Sequence, residues 1–87
     1  MLVMGTNTWQ ADMPKQAIIG FSLKWAEGLK SQGIADLQGA WINMEKKLLW
    51  CYWETNDLDA LQVAFDEMNK QSGLESELTV IEQYYPT

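Results

Sequence analysis

The chain opens with Met1-Leu2-Val3-Met4 and runs to Trp9 through apolar and β-branched positions without a helix-capping signal, the pattern of a strand. The period then changes. Ile18, Phe21, Trp25 and Leu29 recur at spacings of three and four, Ile19 and Leu23 widen the same stripe, and Asp12 precedes Pro14 as an N-cap precedes a first-turn proline. This predicts an amphipathic helix closed at Ser31-Gln32-Gly33 by a left-handed glycine. From Asp36 to Met44 loose alternation returns, with Leu37 and Trp41 on one face and Ala40, Ile42 and Met44 on the other, and Glu45-Lys46-Lys47 supplies the turn of a hairpin. The return strand, Leu48 to Trp53, is apolar on both faces, as expected where a strand is covered on two sides. Asn56 or Asp57 then caps a second helix whose stripe is Leu58, Leu61, Ala64, Phe65 and Met68, ending at Ser72-Gly73. A last alternating run from Glu75 to Tyr85 puts Leu78, Val80, Glu82 and Tyr84 on one face and stops at Pro86.

The order strand, helix, strand, strand, helix, strand predicts a single α+β domain over residues 1–87 with a ferredoxin-like βαββαβ fold, a four-stranded antiparallel sheet carrying both helices on one face. The strand at 48–53 adds a constraint. Leu49, Cys51 and Trp53 point one way and Trp50 and Tyr52 the other, so a lone sheet would leave an apolar face in water. A second copy packed sheet against sheet covers it, and a homodimer is therefore expected.

Composition narrows the chemistry. The chain has 87 residues with no His and no Arg; its six basic residues are all Lys, against twelve acids, for a net charge of −6. Histidine-based nucleophile systems, His-ligated metal or haem and arginine clamps on phosphate each lack a necessary part. The acidic balance disfavours nucleic acid and anionic membranes, and without a glycine-rich phosphate loop nucleotide use is not expected either. The charge is uneven: residues 1–53 hold five Lys and four acids, residues 54–87 one Lys and eight acids. That excess reads as a solvated acidic surface. One cysteine, Cys51, cannot form an internal disulfide. The start has neither a basic region nor a long apolar run, so neither a signal peptide nor a spanning helix is expected and a cytoplasmic location is the default. No cofactor or metal is indicated.

Met1-Leu2-Val3-Met4, the segment Trp50-Cys51-Tyr52-Trp53-Glu54-Thr55-Asn56-Asp57 and Leu78-Thr79-Val80-Ile81-Glu82 together resemble short members, described only as of unknown function, of the dimeric α+β barrel superfamily. The resemblance implies a ferredoxin-like chain that pairs sheet to sheet with a second copy. Superfamily members include cofactor-free monooxygenases, muconolactone isomerases, haem-degrading enzymes and simple ligand-binding proteins. Against the haem degraders, Asn7 matches their first-strand Asn, and Trp41, Trp50 or Trp53 loosely match their Trp, but no His exists to hold iron. The monooxygenases' Asn, Trp and Tyr types are present, but their Arg is not.

Five Trp, three Tyr and two Phe give an aromatic share of 11%. These residues serve either as core and interface packing or as the lining of a pocket between sheet and helices for a flat apolar ligand. For the pocket, Trp9, Trp25, Tyr52 and Tyr84 are the candidate ligand-binding residues, with Met68 among the methionines that would add deformable lining. Glu54 and Glu82 lie on otherwise apolar strands, where a carboxyl can have a raised pKa; with Asn7 they are the candidate proton-transfer groups of a cofactor-independent isomerase or monooxygenase acting on an aromatic substrate. Cys51, between Trp50 and Tyr52, reads as a small buried hydrophobe. Three functions follow: a homodimer binding a small apolar or aromatic molecule in a cleft between sheet and helices, that enzyme, and a purely structural or interaction subunit.

Overall fold

The computed structural model describes residues 1–86 and contains β1 (Leu2–Thr8), α1 (Lys15–Ser31), β2 (Asp36–Asn43), β3 (Leu48–Glu54), α2 (Leu58–Ser72) and β4 (Glu75–Ile81). The strands form one antiparallel sheet in the order β2-β3-β1-β4. The architecture is α+β and compatible with a ferredoxin-like layout. Among the described residues, no helix is long and apolar enough to cross a membrane.

Alternation sorts the strand side chains. Val3 and Asn7 on β1 and Leu49, Cys51 and Trp53 on β3 are buried and join Ile18, Ala26 and Leu29 of α1 and Leu61, Phe65 and Met68 of α2. Opposite faces of the same strands carry Met4, Thr6, Trp50 and Tyr52, which are only partly covered. Gly5 belongs to the helix side: a Cβ there would lie 3.4 Å from the Phe65 ring and 3.5 Å from Trp53 Nε1. Its bare backbone lets those rings come down onto the sheet.

The helix ends follow their local chemistry, with one exception. Asp57 caps α2 by accepting from the Ala60 N–H at 3.0 Å, and Gly73 closes it at φ 75°. At α1 the cap position is Pro14, without a side-chain bond. Asp12, the expected cap, instead sits 3.1 Å from Lys47 Nζ, which also donates to the Gln10 carbonyl at 2.7 Å. The exposed pair ties the entry of α1 to the β2–β3 turn.

Two strand expectations are corrected. A bulge between Leu37 and Gly39 inserts one residue, so Leu37 lies opposite Trp53 on the helix side while Trp41 lies opposite Trp50 on the other. Leu37 and Trp41 therefore do not share a face. β4 also ends at Ile81 rather than at Tyr85. The ladder places Ile81 opposite Leu2, the first paired residue of β1, and residues Glu82 to Pro86 lie outside it. Glu82, Tyr84 and Tyr85 are exposed outside the strand.

Candidate functional site

The two helices rest on the sheet without closing on each other. No Cα of α1 lies within 8 Å of a Cα of α2. Helices packed ridge into groove have axes roughly 8–10 Å apart and bring backbones closer than that, so here side chains alone fill the space between them. They fill it incompletely. A groove of about 450 Å³ remains, walled by Phe21, Trp25 and Leu29 from α1 and by Ala64 and Met68 from α2, with Gln32, Glu67, Gln71 and Ser72 at its rim. Ala64 is the small residue in the α2 stripe, and Phe21 across the groove stays 41% exposed.

Under the groove lies an aromatic cluster. Trp25 meets Phe65 edge to face at 4.5 Å between ring centroids and Trp53 at 5.6 Å, and Trp53 meets Phe65 at 5.9 Å. Such pairs contribute about 0.5–1.5 kcal/mol each beyond the area they bury. Beneath the cluster, against the sheet, is a void of only about 10 Å³ lined by Asn7, Ser22, Cys51 and Trp53 among others. It has room for one water at most. The space directly between sheet and helices is thus filled, and the open volume lies between the helices.

Asn7, fully buried on β1, is the polar centre of the sheet floor. Its amide nitrogen donates to the Leu49 carbonyl at 2.9 Å and more distantly to the Gly5 carbonyl at 3.4 Å and Cys51 Sγ at 3.8 Å, and its Oδ1 accepts from the Ser76 hydroxyl at 2.5 Å. Asn7 therefore links β1 to β3 and β4. Burial pushes the Cys51 thiol up to about 11, against a smaller opposing effect of the Asn7 contact, so the sulfur is protonated at neutral pH and is a poor nucleophile. Two buried indole donors, those of Trp9 and Trp53, are unused. The Trp53 indole Nε1–H has no acceptor although the residue is 1% exposed, a loss of about 1–3 kcal/mol relative to a paired donor.

The residues singled out from the sequence are spread over the molecule. Trp25 lines the groove, and Asn7 lies below it. Trp9 is buried in the core. Glu54 and Tyr52 lie on the far side of the sheet from Asn7; the Glu54 carboxylate is 2.9 Å from the Met1 ammonium, and Tyr52 stands 6.5 Å from Trp41. Glu82 and Tyr84 lie beyond β4, Tyr84 being 86% exposed. Asn7, Glu54 and Glu82 do not converge. Sequence reasoning missed Phe21 and Ala64 as groove walls, and also Ser76 as the partner of Asn7. Ala64 was legible as the one small residue in an otherwise bulky stripe; Ser76 lies across a strand pair and leaves no local signal.

Among the described residues no group of three or more His, Cys, Asp or Glu is arranged to hold a metal ion. No protein-family model matches the chain, and no curated protein matches it.

Proposed function

We propose that the chain is a small ligand-binding protein of the dimeric α+β barrel kind, which takes a mainly apolar or aromatic molecule between its two helices and pairs with a second copy through the open face of its sheet. The observation that carries the binding reading is the separation of α1 from α2 over an aromatic floor. A domain this small has strong reason to close its helices and bury Phe21, since each fully buried large apolar side chain adds roughly 1.5–3 kcal/mol. Leaving the groove open forgoes that gain. A flat hydrophobic ligand recovers it by stacking on Trp25 and covering Phe21.

Binding is favoured over catalysis because the groove holds no candidate base near Asn7. Glu54 is on the opposite side of the sheet, Glu82 is beyond β4, and Glu67 sits at the solvent rim. The second copy is supported by the partly covered apolar face that includes Met4, Trp50 and Tyr52, together with Trp41, which is 56% exposed.

The test is a fluorescence titration with the neutral aromatic probe N-phenyl-1-naphthylamine. Saturable binding of one probe per chain is expected. Ala64→Trp, which fills the groove from α2, should weaken it at least about tenfold while circular dichroism stays native, because a filled pocket forfeits the ligand's burial. Val63→Ala, on the exposed side of α2, should leave it unchanged. Equal binding to the wild type and Ala64→Trp would remove the groove as the site.

A further inference from the structure

The groove between the helices and the void beneath the aromatic cluster have three lining residues in common, Phe21, Trp25 and Met68. Everything else differs: the groove is bounded outward by rim residues in water, and the void inward by Asn7, Cys51 and Trp53 on the sheet. These three side chains border both spaces, with the Phe65 ring packed against Trp25 beside them. Phe21 is 41% exposed, and Met68 is an unbranched chain that changes rotamer at little cost.

The inner wall also restricts what can enter. Asn7 is engaged by Leu49, Gly5 and Ser76, and the Ser22 hydroxyl donates to the Ile19 carbonyl at 2.9 Å. Trp53, which lines the void, carries an unused donor, its Nε1–H, whose nitrogen lies above Gly5, 3.5 Å from where a Cβ there would stand. No Asp, Glu or Lys lines the void. A charged ligand group would lose its hydration there without a counterion.

Resting on the groove reading above, we propose that groove and void are one chamber gated by Phe21, Trp25 and Met68, and that its occupant is an uncharged aromatic molecule carrying a hydrogen-bond acceptor for the indole N–H of Trp53. The rings of such a ligand take the groove and displace the gate, and its acceptor oxygen reaches the floor. Anionic aromatics are disfavoured twice, by the uncharged void and by Glu67 at the rim.

Two measurements test this, the first without any ligand. Cys51 lines the void and not the groove, so its reaction with the neutral disulfide 4,4′-dithiodipyridine reports access through the gate. Phe21→Ala and Met68→Ala should each accelerate the reaction at least about tenfold over Leu61→Ala, a core truncation away from the gate that controls for general loosening. Rates no faster than that of Leu61→Ala would overturn the single chamber, whatever binds in the groove. The second is calorimetric titration of the wild type with 2-acetylnaphthalene, 2-ethylnaphthalene and 2-naphthoate. The ketone should bind roughly three- to tenfold tighter than the hydrocarbon, the worth of one buried hydrogen bond, and the carboxylate should bind weakest. In Trp53→Phe, which keeps a ring and loses the N–H, the ketone should lose its advantage. Equal affinity of ketone and hydrocarbon in the wild type, or an advantage that survives in Trp53→Phe, would overturn the assignment of the acceptor. Failure of all three to bind would remove the groove reading and this inference with it.

Discussion

At the scale of single residues, burial decides what each polar group can do. Cys51, read from the sequence as a small buried hydrophobe, lies among apolar neighbours that push its titration from 9.0 up to about 11. The sign of the resulting pH dependence follows. The unfolded chain releases the proton near pH 9 and the folded chain only near 11, so the contribution is fully present below pH 9 and is lost as the pH rises through about 11. Wild type should therefore lose up to about 3 kcal/mol more than Cys51→Ala over that interval, measured as the difference between their urea-unfolding free energies at pH 8 and pH 11. Parallel curves for the two proteins would mean that Cys51 is not buried as described. Asn7 is different because its hydrogen bonds cross three strands, and that linkage suits a fixed floor rather than a mobile reacting group.

Elements explain the opening between the helices. Gly20 and Gly28 lie inside α1, and a Cβ at either meets nothing within 4 Å. Each glycine lowers helix stability by about 1 kcal/mol relative to Ala. Gly20→Ala and Gly28→Ala should therefore both raise the melting temperature, by about 4–8 °C each in a domain of this size, as followed by circular dichroism. Gly28, unlike Gly20, borders with Lys24 a second hollow on the outer surface of α1, one that shares Phe21, Trp25, Leu29 and Gln32 with the groove. Its substitution should also weaken probe binding, whereas Gly20→Ala should not. Equal effects on binding would show that the outer surface of α1 is not part of the site.

The six elements were legible from periodicity because each is patterned along its own length. What the pattern did not contain was pairwise geometry. The Gln38 bulge reverses the face of Leu37 without disturbing the apolar count, and Tyr84 continues the alternation of β4 after β1 has run out of partners. Of the candidate site, Trp25 was legible as a helix-face aromatic. The groove beside it was not, because the distance between two helix backbones belongs to no single segment.

For the whole molecule, the balance is between an apolar sheet face and a net charge of −6 on each chain. Trp41 lies flat on that face, its ring 2.9 Å from where a Cβ on Gly39 would stand, beside Tyr52. Sheet-to-sheet pairing buries this aromatic centre but brings two acidic chains together. Sedimentation should therefore give a particle of twice the 10.0 kDa chain, and association should strengthen as salt rises from about 20 to about 300 mM, because the repulsion is screened within a Debye length. Trp41→Glu should shift the equilibrium to the single chain, and a 10.0 kDa particle for the wild type at all salt concentrations would dispose of the pairing.

The five tryptophans make the two faces separable in one experiment. Trp25 and Trp53 belong to the groove and its floor, Trp9 to the core, and Trp41 and Trp50 to the open sheet face. Nitrogen-15 labelling of the indoles and titration with 2-acetylnaphthalene, followed by NMR, reads all five N–H resonances together. The expected result is a saturable shift of the Trp25 and Trp53 signals while those of Trp41 and Trp50 stay in place. Movement of Trp41 and Trp50 with Trp25 and Trp53 unmoved would contradict the groove as the binding site.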